Sequence, residues 1–165
     1  MQEIKDSKQA TVRIGYDGSV HKTFRGPLAK RRFENELRVL KYLERQNCPF
    51  VPKVLQADVE KLYMATTNCG TIVDKISQQK LEHLFQELEQ YGVRHNDPFA
   101  RNVTYNADLG RFCLIDFEFA TILESGEGFS LEELEDLNKD KKNLKALEEL
   151  RQIEEEAKRE KEGQS

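Results

Sequence analysis

The sequence predicts an α+β fold in two layers or lobes, built from short antiparallel strands and a few amphipathic helices. Three observations indicate this fold. Alternating apolar and polar residues flank an Asp17-Gly18 pair, which is typical of a β-hairpin. Two later segments carry apolar residues at helical spacing. A charged, leucine-rich segment then occupies residues 124–165, so the 165 residues form one domain with an appendage.

The first half of the chain is predicted to contain two strand pairs with a helix between them. Residues 11–16 and 19–24 form the hairpin, and a helix runs from 29 to about 45. A second strand pair follows at residues 54–58 and 61–65. The apolar face of the helix consists of Phe33, Leu37, Leu40 and Leu43.

The second half is predicted to contain one helix, an irregular loop and a short hairpin. Ser77 is placed to cap a helix that ends near Tyr91-Gly92. The loop spans residues 94–102, and short strands follow at 103–105 and 112–115. After residue 124 a flexible joint leads into charged helices, whose apolar stripe consists of Leu131, Leu134, Leu137, Leu144, Leu147, Leu150 and Ile153.

Composition restricts the classes of function. Charged residues make up 34% of the chain, and no window is apolar enough to cross a membrane. Residues 124–165 carry 14 of the 30 acidic and 8 of the 26 basic residues, so a nucleic-acid partner is not expected. The basic run Lys30-Arg31-Arg32 is interpreted as the solvated face of a helix, with a phosphate- or acid-binding face as the alternative. Three dispersed cysteines and the lack of an apolar leader favour a cytoplasmic location.

One segment carries a pattern suited to phosphoryl transfer. His95-Asn-Asp97 is followed five residues after the aspartate by Asn102, and Ile115-Asp116-Phe117 comes after the predicted short hairpin. Phosphoryl transfer needs one carboxylate to orient the attacking hydroxyl, and an amide oxygen with a second carboxylate to hold Mg²⁺. The sequence supplies Asp97 for the first task and Asn102 with Asp116 for the second.

These motifs resemble those of the protein kinase-like superfamily, and the resemblance covers about residues 7–120. It implies that Asp97 orients the acceptor, that Asn102 and Asp116 bind Mg²⁺ or Mn²⁺, and that His95 holds the loop by hydrogen bonds. Val20-His21-Lys22 is similar to the strand that bears the phosphate-binding lysine. Glu36 is similar to the helix residue that pairs with this lysine, and Glu34 is the alternative on the same helix.

The resemblance also implies a nucleotide site and a domain plan. Adenine of ATP is expected between the lobes against a hinge, Ala65 to Asn68, which includes Thr67. Its apolar walls are expected to be residues such as Val12, Val20, Met64 and Leu114. The domain spans residues 1–123 as a minimal two-lobed kinase-like fold. Its N-lobe, about 1–67, is a small antiparallel sheet with a helix, and its C-lobe, about 68–123, is reduced and mostly helical.

The chain departs from the family pattern at three places. No glycine-rich loop precedes Thr11, and the residues upstream are too few for a full first strand, so Ser7, Lys8 or Gln9 would have to cover the phosphates. Glu118 stands where the family has the glycine of its Asp-Phe-Gly motif, which stiffens this segment. After residue 120 the family's later C-lobe helices are absent or replaced.

Three functions remain open. The first is a Mg²⁺- and ATP-dependent protein kinase of the serine, threonine or tyrosine type. The second is a small-molecule kinase of the sugar, lipopolysaccharide or aminoglycoside type. The third is a nucleotide-binding pseudokinase that acts through a protein partner bound by residues 130–153. We expect the leucines of that segment to be covered, either by the domain or by a partner, since an isolated helix gains little from them in water.

Overall fold

The computed structural model describes residues 2–6 and 9–163 and confirms the α+β class. Its contacts divide the chain into two units, the first ending at Gly128 and the second beginning at Phe129. No helix in this described part of the chain is both long enough and apolar enough to cross a membrane. The candidate site lies entirely in the first unit.

A five-stranded antiparallel sheet opens the first unit, in the order β1-β2-β3-β5-β4. Its strands are β1 (Gln2–Asp6), β2 (Ala10–Ile14), β3 (Val20–Phe24), β4 (Val54–Asp58) and β5 (Tyr63–Thr66). The expectation that no first strand fits upstream of Thr11 is wrong, because β1 pairs along the edge of β2. Ser7 and Lys8, which we considered for covering the phosphates, lie outside the described residues.

Helix α1 (Ala29–Arg45) connects β3 to β4 and packs beside the sheet. Its apolar residues recur at helical spacing, so one face is buried in the core. Phe33 meets Phe24 of β3 edge to face, with ring centroids 5.6 Å apart. The buried apolar residues of the helix are Ala29, Phe33, Val39, Leu40, Tyr42 and Leu43.

Residues 68–123 contain one α-helix and five short strands, so the expectation of a mostly helical C-lobe is wrong. Ser77 caps helix α2 (Gln78–Gln90) by accepting a hydrogen bond from the main-chain N–H of Lys80. The strands are β6 (Thr71–Ile72), β7 (Val93–Arg94), β8 (Val103–Asn106), β9 (Arg111–Leu114) and β10 (Thr121–Ile122). Two-residue pairings such as those of β6, β7 and β10 leave no periodic pattern by which a sequence could show them.

Two glycines allow the loops of this unit to approach other backbone closely. Gly70 has a φ of +99° and a Cβ there would collide with the carbonyl of Tyr105. Gly128 has a φ of +145° and would collide in the same way with the carbonyl of Ala120. A hydrogen-bonded turn lies beside Gly128, in which the N–H of Gly126 donates to the carbonyl of Ile122 at 2.8 Å. The flexible joint expected after residue 124 stays a prediction.

The second unit contains one continuous helix, α3 (Leu131–Gly163), where the sequence indicated more than one charged helix. The expected capping box is present. The Ser130 hydroxyl accepts from the N–H of Glu133 at 3.1 Å, and the Glu133 carboxylate accepts from the N–H of Ser130 at 3.3 Å. Leu147, Leu150 and Ile153 of this helix are each about 60% exposed, and their coverage by the domain or by a partner stays a prediction.

Candidate functional site

Three charged side chains from distant segments meet beside the sheet. Lys22 lies on β3, Glu36 on the inner face of α1 and Asp116 in the loop after β9. The Nζ of Lys22 lies 2.9 Å from Oε2 of Glu36 and 3.3 Å from Oδ1 of Asp116. The ion pair expected between Lys22 and Glu36 is therefore present, whereas Glu34 lies near the surface, 3.8 Å from Lys30.

The electrostatics of this cluster are dominated by carboxylates. Burial opposes the charge of Lys22, but Asp116, Glu36 and Glu118 outweigh it and raise the pKa of Lys22 well above its ordinary value. Burial also raises the pKa of Glu36 to about 7, helped by Asp116 and Glu118 and opposed by Lys22. One oxygen each of Glu36, Asp116 and Glu118 lies within 4.8 Å of the others, so negative charge is in local excess.

The loop that carries Asp97 is closed by its own side chains. Nδ2 of Asn102 donates to Oδ2 of Asp97 at 2.8 Å and to the main-chain oxygen of Asp97 at 2.9 Å. Nη2 of Arg101 donates to Oδ1 of Asp97 at 2.5 Å, while its guanidinium lies over the ring of Phe99. Asp97 and Asn102, predicted from a spacing of five residues, are thus in direct contact.

His95 joins this loop to the segment that precedes Asp116. Its Nε2 donates to the carbonyl of Ile115 at 2.9 Å, and its Nδ1 accepts from the N–H of Asp97 at 3.2 Å. Burial lowers the pKa of His95, so the ring is neutral and carries its proton on Nε2. These bonds fit the loop-holding role expected for His95. The N–H of Ile115 also donates to the carbonyl of Asn102 at 3.0 Å, which brings the two predicted metal ligands onto neighbouring backbone.

Two residues next to these hydrogen bonds, Asn96 and Asp116, have a left-handed backbone conformation. Asn96 has a φ of 69° and Asp116 a φ of 65°, a conformation that is unfavourable for residues other than glycine. The side-chain amide of Asn96 offsets part of this cost by donating to the carbonyl of Phe119 and to Oγ1 of Thr121, both at 2.8 Å. Glu118 has no positive φ, so the backbone does not require glycine at that position.

Arg32 is a residue of the site that the sequence analysis did not identify. Its neighbours Lys30 and Arg31 are exposed, as interpreted for the basic run, but Arg32 is only 2% exposed. Its Nη1 lies 2.9 Å from Oε2 of Glu118. The interpretation of Arg32 as a solvated residue is therefore wrong. The position could have been suspected from helical geometry, since Arg32 lies four residues before Glu36 and shares its face.

The residues expected around adenine fall in different places. Val12, Lys22 and Met64 are directly paired across β2, β3 and β5, so their side chains share one face of the sheet, and Val20 joins them two residues before Lys22. Ala65 of the expected hinge follows Met64, so its side chain faces the opposite side of the sheet. Leu114 is fully buried at the end of β9, in the same core as Met64.

Thr67 differs most from its expected role in the hinge. Its N–H donates to the carbonyl of Lys53 at 2.9 Å, and its hydroxyl accepts from the N–H of Lys53 at the same distance. The N–H is therefore already paired, whereas the hydroxyl keeps its own proton to donate. Thr67 lines a cleft of about 590 Å³ at the outer end of the sheet, together with Ile14, Leu55 and Asn106, and this cleft does not include Lys22.

Comparison of the chain with models of known protein families finds no match, and no curated protein is similar to it at a significant level.

Proposed function

We propose that the chain is a Mg²⁺-dependent phosphotransferase that moves the γ-phosphoryl group of ATP to a hydroxyl of a protein. The observation that supports this proposal is the meeting of Lys22, Glu36 and Asp116, which come from three segments of the chain. The Asp97–Asn102 loop is hydrogen-bonded to the same segment through Ile115. A lysine held between two carboxylates, beside a second loop with an aspartate and an asparagine, suits the positioning demands of phosphoryl transfer.

In this proposal Lys22 binds the α and β phosphates. A protonated amine is a compact positive charge that phosphate oxygens bind well. Glu36 orients that amine, since the 2.9 Å contact fixes the direction of the lysine side chain from the helix. The raised pKa of Lys22 keeps the amine charged throughout the physiological pH range.

Asp116 and Asn102 are the residues that would hold Mg²⁺ or Mn²⁺. A carboxylate and an amide supply the oxygen ligands that these hard cations prefer, so the donor set fits the metal. A bound divalent cation would neutralise charge on the transferred phosphate. It would also offset the excess of carboxylates around Lys22, where Glu36, Asp116 and Glu118 lie together.

Asp97 is the residue that would orient the acceptor hydroxyl and accept its proton. Its two carboxylate oxygens now accept from Arg101 and Asn102. Asn102 holds the carboxylate in place, whereas Arg101 is largely exposed and can move aside for an acceptor. We therefore assign Asn102 to the fixed part of the site and Arg101 to the part that an acceptor rearranges.

The decisive experiment is incubation of the protein with γ-labelled ATP and Mg²⁺. We compare the wild type with Asp97→Asn and Lys22→Met, and Asp108→Asn in the exposed β8–β9 turn is the matched control. Loss of a charged group that acts in the transition state costs at least about a hundredfold in rate, so both site variants should fall by that factor. Equal label transfer by the wild type and Asp97→Asn would overturn the proposal.

The class of acceptor is tested in the same assay. A protein kinase labels itself or a general protein substrate, and that result supports the proposal as stated. A small-molecule kinase of the sugar, lipopolysaccharide or aminoglycoside type leaves protein unlabelled and labels only a small hydroxyl compound. The catalytic assignments would then stand, and the assignment of a protein acceptor would be wrong.

A pseudokinase is the second candidate, and the hydrogen bonds of Thr67 favour it. Because the main-chain N–H of Thr67 already donates to the carbonyl of Lys53, this hinge donor is not free for adenine, which would weaken nucleotide binding here. In that case the protein would act through a partner bound by residues 130–153. A pseudokinase would show stabilisation by Mg-ATP in a thermal shift assay, or none, but no label transfer that depends on Asp97.

A further inference from the structure

Arg32 connects four separate segments of the first unit. Its Nη1 pairs with Glu118 at 2.9 Å, and its Nε donates to the carbonyl of Pro27 at 2.9 Å. Nη2 donates to the carbonyl of Arg25 at 2.5 Å, and Nη1 also lies 3.4 Å from the carbonyl of Gln9. A guanidinium has five donors in a rigid planar arrangement, so it can satisfy several acceptors at once where a lysine could not.

Asn35 provides a second link between α1 and the segment that follows Asp116. Its buried amide donates to the carbonyl of Glu118 at 3.0 Å and to the carbonyl of Ala120 at 2.9 Å. Two side chains, those of Arg32 and Asn35, thus attach the helix that carries Glu36 to residues 118–120. The attachment involves the side chain of Glu118, which a glycine at this position could not supply.

We propose that Arg32 is a positioning residue for phosphoryl transfer, acting through Glu118 to hold α1 against residues 116–120. This inference rests on the proposed function. The Arg32–Glu118 pair keeps Glu36 and Asp116 beside Lys22, with carboxylate oxygens 2.9 and 3.3 Å from its Nζ. The glutamate in place of the family's glycine is then a functional element rather than a defect.

The test compares three variants in the full chain. Arg32→Met and Glu118→Gln each remove one charge, and either could fail to fold because a buried partner is left unpaired. The double variant Arg32→Met with Glu118→Leu replaces both charges by apolar groups, a change that folded proteins usually tolerate. We expect the double variant to fold but to melt below the wild type, because the carbonyls of Arg25, Pro27 and Gln9 lose a donor. Its kcat should fall at least tenfold, with a smaller change in KM for ATP.

The matched control is Lys30→Met. Lys30 also lies on α1 and pairs with an acid, Glu34 at 3.8 Å, but its side chain is exposed. We expect this control to retain wild-type kcat. A folded double variant with the kcat of the control would show that the pair is only structural and would overturn the inference.

A double-mutant cycle separates positioning from general damage. If Arg32 acts by aligning Glu36, then adding Glu36→Gln to the double variant should lower kcat by much less than Glu36→Gln lowers it in the wild type. Full additivity would contradict the inference and leave the proposed function intact. A wild type with no Mg-ATP turnover would instead overturn the proposed function, and this inference with it.

Discussion

Helices α1 and α3 use charged and apolar residues in opposite ways. The shorter helix, α1, buries a complete apolar face and also places Arg32 and Glu36 inside the protein, each with a partner. The longer helix, α3, exposes every described side chain from 146 to 163, its leucines included. Length and helix propensity therefore do not decide what a helix contributes to this fold. The contribution depends on what its faces contact.

The stability of the two helices has different sources. Tertiary packing stabilises α1, whereas α3 has a local source of stability, the capping box formed by Ser130 and Glu133. A cap of this kind contributes typically about 1 kcal/mol. The two helices should therefore respond differently to the same substitution.

The largest difference is expected for one substitution made in both helices. Leu40 of α1 is 1% exposed and Leu147 of α3 is 62% exposed. Leu40→Ala should lower the free energy of unfolding by about 2–5 kcal/mol, because it leaves a cavity in the core. Leu147→Ala should change it by no more than about 0.5 kcal/mol. Urea unfolding measures both, and equal effects would contradict the distinction between the two helices.

A smaller effect is expected from the buried carboxylate of α1. The pKa of Glu36 is raised from 4.5 to about 7 by burial and by Asp116 and Glu118, against the effect of Lys22. As the pH rises, Glu36 ionises at a lower pH in the unfolded chain than in the folded protein. Its contribution to stability is therefore present below pH 4.5 and is lost by about pH 7, an effect on the order of 1–3 kcal/mol.

The measurement is the difference in unfolding free energy between wild type and Glu36→Gln across this range. The difference should shift against the wild type as the pH rises from 4.5 to 7. His95 has a lowered pKa and acts in the opposite direction, losing stability as the pH falls, but it is common to both proteins and cancels. Glu148→Gln in the exposed part of α3 is the control for removing one carboxylate. A difference that is flat from pH 4.5 to 7 would contradict this prediction.

The sequence predicted the elements whose signals are local. The hairpin around Asp17-Gly18, the apolar face of α1 and the Ser77 cap of α2 all depend on residues close together in the chain, and all are present. Strand β1 was missed because its residues, Gln2 to Asp6, hold one apolar residue among polar ones. What makes this segment a strand is pairing with β2, and pairing is not visible in the segment itself.

The same reasoning explains which parts of the candidate site were predictable. Asp97 and Asn102 are five residues apart, so a spacing could indicate their contact. The partners of Arg32 and Thr67 come from other segments, with Glu118 lying 86 residues beyond Arg32. The sequence therefore predicted Arg32 to be exposed, like the other residues of the basic run. Only the packing of α1 against residues 118–120 distinguishes it from the exposed Arg31.

The smallest effect is expected from removing the exposed part of α3. Ending the chain after Lys145 deletes side chains that are all exposed where the structure describes them, including Leu147, Leu150 and Ile153. No apolar burial is lost, so the melting temperature of the first unit should change by less than about 3 °C. The helical circular dichroism should nevertheless fall, because more than half of the 33-residue helix is removed. Sedimentation of the full chain at increasing concentration is the companion measurement, since a second copy could cover these leucines. A large fall in melting temperature, together with a monomeric full chain, would show that the leucines are buried against the chain in solution, as the sequence first suggested.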